Sequence, residues 1–382
     1  MLLTTPLTIR SGQKGCPPLR KNRDAINIHP LQTGGMLDEA AMTALAAYGD
    51  GYAICDYCNG CLDTIANPPV KDLTREILPS FLGCDTVRLT TGAREGKFIV
   101  FHALTRPGDT ILVDANRHYS THVAAERTGL RIVEVPNSGY PEYRIDVRDY
   151  IPLIERHRPA LMLLTYPDGN YGNLPDAGEL GAIARRYGVP LLINGAYSVG
   201  RLPVSLAETG ADFIVASAHK SMASTGPLGL LGMRKKWEGV LLKTSEKYPR
   251  KEIEFLGCTA RGAGVVTLMA SMPRLVERVR TWDRQVAKAR WFCREMEKLG
   301  IRQLGEKEHR HDLIAFESPR LYEISQSRRQ KGYFLYKELK KRRIWGIRPG
   351  QTRKFKVSTF AATREELQAV IDAFRDIIER FA

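Results

Sequence analysis

A chain of 382 residues with 43% apolar and 26% charged side chains exceeds a single typical core and has an ordinary globular balance, so two domains are expected. No run of eighteen apolar residues occurs, and Met1 to Lys14 lack the compact apolar stretch and small-residue cleavage site of a secretory leader; a cytoplasmic protein with no membrane span is the expectation. The balance of 57 basic against 42 acidic residues, a net charge of +15, suits a polyanionic partner such as RNA, and equally a solubilising surface.

Residues 1–25, with Pro17, Pro18 and several Lys and Arg but little apolar periodicity, read as a basic arm. From Ile26 short β-branched runs alternate with helical patterns: Val87–Thr90, Thr110–Val113, Ile132–Val135, Leu161–Thr165, Leu191–Ile193, Phe213–Ala216 and Leu228–Met233. That alternation predicts an α/β domain over 26–258, built on a mainly parallel seven-stranded sheet flanked by helices. After Gly257 long charged helical patterns dominate, chiefly Val265–Leu299, followed by strands at Leu313–Phe316 and Phe355–Thr359; this predicts a smaller α+β domain over 259–382. Thr363 and Glu366 have capping-box spacing and mark a helix start.

Chemistry concentrates at the strand ends. Phe213-Ile-Val-Ala-Ser-Ala-His-Lys-Ser sets Lys220 just past a buried strand, where apolar surroundings keep part of the amine neutral and able to form a Schiff base. Leu191-Leu-Ile-Asn-Gly ends the preceding strand in an amide, Asn194. Thr90-Thr-Gly-Ala-Arg-Glu-Gly lies between strand and helix, so backbone amides at Gly92, Ala93 and Arg94 can receive a phosphate, with Ser217 and His219 as further donors. His118, beside Tyr119, follows another strand; it fits the position from which the aminotransferase-fold enzymes that this pattern resembles usually stack a ring on the cofactor, and an imidazole there could also move protons.

Spacing and context resemble the aminotransferase-fold pyridoxal-phosphate enzymes, particularly the cysteine-desulfurase branch, where an aspartate usually stands at the position of Asn194. An aspartate keeps the ring nitrogen protonated; asparagine can only hydrogen-bond it, and the weaker electron sink favours expulsion of a β-leaving group over transamination. Seven cysteines in such a chain do not suggest a disulfide framework. Cys55, Cys58 and Cys61 fall at spacing three and Cys258 far downstream, a set suited to sulfur or iron; Cys16, Cys84 and Cys293 are isolated and read as structural.

From about Ile26 onward the chain resembles the archaeal O-phosphoseryl-tRNA:cysteinyl-tRNA synthases. The likeness rests on Pro30-Leu-Gln-Thr-Gly-Gly, Gly49-Asp-Gly-Tyr, Cys55-Asp-Tyr-Cys, Thr91-Gly-Ala-Arg-Glu, Tyr166-Pro-Asp-Gly-Asn-Tyr-Gly-Asn-Leu-Pro, Asn194-Gly-Ala-Tyr, His219-Lys-Ser-Met and Leu256-Gly-Cys-Thr-Ala-Arg-Gly-Ala taken together. It implies the aspartate-aminotransferase fold (pyridoxal-phosphate fold type I). Pyridoxal phosphate would sit on Lys220, lined by Ala93, Arg94, Asn194, Ser217, Ala218 and His219. Arg94, His118 and Tyr119 would hold the substrate phosphate.

Cys55, Cys58 and Cys258 would handle sulfur, as persulfide or as ligands of an iron-sulfur cluster; Cys61 falls outside the family's set. The substrate implied is O-phosphoseryl-tRNA(Cys), with phosphoseryl-tRNA synthetase and a sulfur donor as partners and a homodimer as the assembly. A tRNA ester has no free α-carboxylate, and Lys356 stands where related enzymes use an arginine to pair one; Lys341-Arg-Arg-Ile-Trp mixes basic residues with Trp345, as an RNA contact would. Two competing readings are a desulfurase acting on free amino acids and an RNA-binding protein without catalysis, the latter disfavoured by Lys220.

Overall fold

Runs such as Leu161-Met-Leu-Leu, apolar at every position, require cover on both faces of a sheet. The computed structural model, which describes residues 25–31, 35–48, 72–249, 251–255 and 262–381, supplies it. After the short strand β1 (Ile26–Asn27), the strands β2 (Thr86–Thr90), β3 (Thr110–Asp114), β4 (Arg131–Val135), β5 (Leu161–Thr165), β6 (Leu191–Asn194), β7 (Phe213–Ala216) and β8 (Gly229–Met233) follow in the chain. The last seven form one sheet in the order β2-β8-β7-β6-β5-β3-β4, parallel except where β8 pairs with β2 and β7. The expected architecture is thus present. Leu112, Met162, Leu164, Leu191, Ile193 and Ile214 enter the core on one face, while Ile111, Val113, Leu161, Leu163, Leu192 and Phe213 enter the core on the other.

The second sheet is antiparallel, with β10 (Leu313–Glu317) between β9 (Arg302–Leu304) and β12 (Lys354–Ser358). Its core includes Phe292, Phe316, Phe355 and Phe374. Thr363 and Glu366 close the expected capping box, the Thr363 amide donating to Glu366 Oε2 at 2.7 Å and the Glu366 amide to Thr363 Oγ1 at 3.2 Å.

Two features of the C-terminal half refine the sequence reading. The pattern Val265–Leu299 is two helices, Gly262–Arg280 and Trp282–Lys298, divided at Thr281. The first buries Val265, Val266, Leu268, Met272 and Leu275 in the core of the seven-stranded sheet, whereas Ala289, Phe292 and Met296 of the second belong to the core of the smaller sheet. Core packing therefore changes over near Trp282 rather than at 258. In the same way Ile28, near the start of the described chain, lies in the C-terminal core, where β1 pairs in parallel with β11 (Ile344–Trp345).

One ion pair ties the two cores together. Arg201 and Asp312 are both fully buried, with Arg201 Nη1 2.5 Å from Asp312 Oδ2. The guanidinium also donates to Ser221 Oγ at 3.2 Å and to the Pro30 carbonyl at 3.2 Å, while Ser358 donates its hydroxyl to the same carboxylate. Burial alone would raise the Asp312 carboxyl, but Arg201, His311 and Ser358 hold it down at about 2. Among the described residues no helix is long and apolar enough to cross a membrane.

Candidate active site

In an open α/β sheet, ligands collect beyond the carboxyl ends of the parallel strands. Here the ends of β3, β5, β6 and β7 bring Asp114, Thr165, Asn194 and Ser217 to one side, and a pocket there is lined by Lys220, Asn194, Ser217, His118, Arg94 and Lys97, among others. Lys220 lies in the single turn Ala218–Ser221 that follows β7. Burial lowers its amine from the ordinary lysine value, and Nζ sits 5.3 Å from the centroid of the Tyr197 ring. Ala218, the first residue of that turn, is fully buried.

Gly92, Ala93 and Ser217, expected at the phosphate-receiving end, lie together at the start of one helix. Gly92, at φ 136°, is the N-cap of the helix Ala93–Leu104, and the amide of Ala93 donates to Ser217 Oγ at 3.2 Å. The helix reaches this position because Gly96 faces β7 closely: a Cβ there would stand 2.7 Å from Val215 Cγ1. His219 also borders the turn, its Cε1 at 3.4 Å from where a Cβ on Gly92 would be. Asn194 is 3% exposed, and its Oδ1 makes no hydrogen bond among the described residues. A buried amide at a strand end, able to present either its oxygen or its NH2, is what a ring nitrogen requires. Phosphate donors, a half-buried amine and an unpartnered amide together fit the expected pyridoxal phosphate.

His118 caps the helix Tyr119–Thr128, its ring accepting from the Ser120 amide. Burial first, then the surrounding cations Lys220, Lys97, Lys356 and Arg94, push its pKa down to about 4, so the ring is a neutral imidazole and not an imidazolium at neutral pH. Its centroid is 4.2 Å from that of Tyr119, whose hydroxyl accepts from Arg94 Nη2 at 3.1 Å. The structure thus brings Arg94, His118 and Tyr119 together beside Lys220. Lys356 donates to the Gly169 carbonyl at 2.7 Å, and Gly169 lines the same pocket. Lys341 and Arg342 pair with Glu338, while Lys340 Nζ stands 5.1 Å from the centroid of the Trp345 ring.

Cys55, Cys58, Cys61 and Cys258 lie outside the described residues, as do Cys16 and most of the basic arm. Among the described residues no His, Cys, Asp and Glu group could hold a metal ion. Burial raises the Cys84 thiol to about 11 and the Cys293 thiol still further, making both poor nucleophiles. Sequence reasoning missed Lys97, which is 1% exposed and borders the pocket. The signal was available: Ala93, Gly96, Lys97 and Val100 follow the spacing of a core-facing helical stripe, and a lysine in that stripe is anomalous.

Fold and pocket define an enzyme of the aspartate-aminotransferase type, pyridoxal-phosphate fold type I. Cysteine desulfurase from Thermococcus onnurineus NA1 has the same fold, with a TM-score of 0.77 at 17% identity over 93% of this chain and 95% of that one. The chain belongs to the O-phosphoseryl-tRNA(Sec) selenium transferase (SepSecS) family, whose model matches residues 100–379. Among its relatives, the O-phospho-L-seryl-tRNA:Cys-tRNA synthase of Methanosarcina acetivorans is 52% identical over 368 residues, 95% of either chain. That of Methanocaldococcus jannaschii is 48% identical over 94% of this chain and 96% of its own. The crystal structure of a SepCysS-SepCysE N-terminal domain complex contains a chain that is 46% identical, with a TM-score of 0.87 over 94% of this chain and 96% of that one.

Proposed function

We infer that the chain converts O-phosphoseryl-tRNA(Cys) to cysteinyl-tRNA(Cys), replacing phosphate by sulfur at the substrate Cβ with pyridoxal phosphate as cofactor. The observation that carries the reading is the convergence of Lys220, Asn194, His118 and Arg94 on one pocket in a chain about half identical, over nearly its whole length, to synthases of that name. When bound, pyridoxal phosphate acidifies the substrate Cα–H and takes up the negative charge left behind.

Ala93 at the start of its helix, with Ser217 and His219 alongside, would hold the cofactor phosphate, and Asn194 would hydrogen-bond the cofactor's ring nitrogen. Lys220, its amine eased toward neutrality by burial, takes the Cα proton on Nζ. Arg94 and Tyr119, already joined by a hydrogen bond, orient the departing phosphate. Cys55, Cys58 and Cys258 supply or relay sulfur, as persulfide or through an iron-sulfur cluster. A sulfur donor, phosphoseryl-tRNA synthetase and a second copy of the chain complete the set of partners. The positive charge of the whole chain draws the tRNA in.

The test is a purified assay with phosphoseryl-tRNA and sulfide, followed by identification of the esterified amino acid. Cysteine on the tRNA, lost in Lys220→Ala together with the visible absorbance of the cofactor, is the expected result. Release of sulfide and alanine from free cysteine, with phosphoseryl-tRNA left unconverted, would replace this reading with a desulfurase.

A further inference from the structure

Lys97 carries a fully buried amine with no carboxylate within ion-pair distance among the described residues. Its Nζ donates to Ser120 Oγ at 2.6 Å and to Thr121 Oγ1 at 3.3 Å. Burial first, then Lys220, lower its amine to about 7 against a weaker opposing pull from Asp114, whose own carboxyl burial raises to about 6. A buried amine that spends its hydrogen bonds on two hydroxyls is costly to keep, and its use lies in what those hydroxyls do next.

Ser120 Oγ is 2.8 Å from His118 Nδ1, and the Ser120 backbone amide points at the same nitrogen at 3.3 Å. A backbone N–H can only donate, so Nδ1 is the unprotonated nitrogen of a neutral ring and the proton resides on Nε2. The Ser120 hydroxyl must then donate to Nδ1 as well, leaving its lone pairs for an incoming donor, and Lys97 is that donor. Hydrogen bonds therefore run in one direction, from Lys97 through Ser120 to His118.

We propose that Lys97 is a positioning residue that, through Ser120, locks His118 in the tautomer carrying its proton on Nε2, so that the ring offers the pocket an N–H donor and not a base. A neutral imidazole at a helix N-terminus keeps its N–H for hydrogen bonding because the terminus disfavours a second proton. The charged groups that act most on His118 work the same way: Lys220 from the turn after β7, Lys356 from β12, and Arg94 and Lys97 from the helix Ala93–Leu104. In the reaction inferred above, on which this part of the proposal rests, the Nε2–H donates to an oxygen of the departing phosphate while the proton stays on the ring. Lys220 is left as the group that takes the Cα proton.

The measurement is 15N NMR of the holoenzyme labelled at histidine, with the His118 signals assigned by difference from His118→Gln. Wild-type protein is expected to show Nδ1 unprotonated and Nε2 protonated throughout neutral pH. In Lys97→Met and Ser120→Ala the Nε2–H population should fall, whereas Ser120→Thr, which keeps the hydroxyl, should restore it. Turnover of phosphoseryl-tRNA should follow with a kcat loss on the order of tenfold and KM within about twofold. A wild-type ring protonated on Nδ1 overturns the proposal even if Lys97→Met does not fold. So does an unchanged tautomer in folded Lys97→Met and Ser120→Ala. If the tautomer behaves as expected but the chain makes no cysteinyl-tRNA, the inferred reaction fails and the positioning role stands.

Discussion

In the reaction inferred above, Asn194 would set the electronics of the site. Its amide can share a hydrogen bond with a ring nitrogen but cannot hold a proton there by charge, as a carboxylate would. Asn194→Asp is therefore expected to slow phosphate replacement on phosphoseryl-tRNA, on the order of tenfold, and to increase conversion of the cofactor to its amine form. The visible spectrum during turnover and the yield of cysteinyl-tRNA give the two readouts. Equal yields with an unchanged spectrum would remove Asn194 from its assigned role. Lys220, Asn194 and His118 were legible because each follows a buried strand within a motif. Lys97 was legible only as an anomaly: the stripe Ala93, Gly96, Lys97 and Val100 puts a lysine on the core-facing side, but its task depends on Ser120, which arrives from another helix once the chain is packed.

Among the elements, the helix Ala93–Leu104 is set by its fit against β7. Adding one methyl at Gly96 meets Val215 at 2.7 Å, so Gly96→Ala should displace the helix, with an overpacking cost of about 1–3 kcal/mol. Its Ala93 end should move off Ser217 at the same time, and a cofactor titration should show weaker binding alongside a lower denaturation midpoint. Thr363→Ala is the contrasting case, expected to cost about 1 kcal/mol by loss of the capping box with no change in cofactor affinity. The seven strands of the main sheet could be read from apolar runs whose edges were off by a residue or so. β1 and β11, two residues each, pair across the length of the chain and leave no local period. The break at Thr281 was hidden for a related reason, because helical patterning continues on either side of it and only the change of core tells the two helices apart.

For the whole molecule, Arg201 and Asp312 matter more than any exposed ion pair. Arg201→Met leaves a carboxylate buried without its cation, and a loss of about 3–5 kcal/mol in chemical denaturation is expected. Asp312 is held near 2 in the fold and returns to an ordinary carboxyl value on unfolding. Its stabilisation is complete above about pH 4 and disappears as pH falls toward 2, so wild-type protein should lose stability through that window and Asp312→Asn should lose less. At the surface, the excess of basic charge predicts that tRNA affinity falls linearly on a logarithmic salt scale, measured by filter binding at increasing potassium chloride.

The same ion pair bears on how the chain is made. Asp312 lies 111 residues beyond Arg201, so at about 5–20 residues per second a ribosome spends on the order of ten seconds adding the counter-ion after Arg201 has been placed. A large domain that folds as it is made would, during that interval, hold the turn carrying Lys220 beside a guanidinium without its anion. Ribosome-bound chains arrested before residue 312 should therefore be open to protease around the cofactor lysine, and chains arrested after Ser358 has emerged should be closed. The late synthesis of one acidic residue would make the cofactor pocket the final part of the large domain to mature.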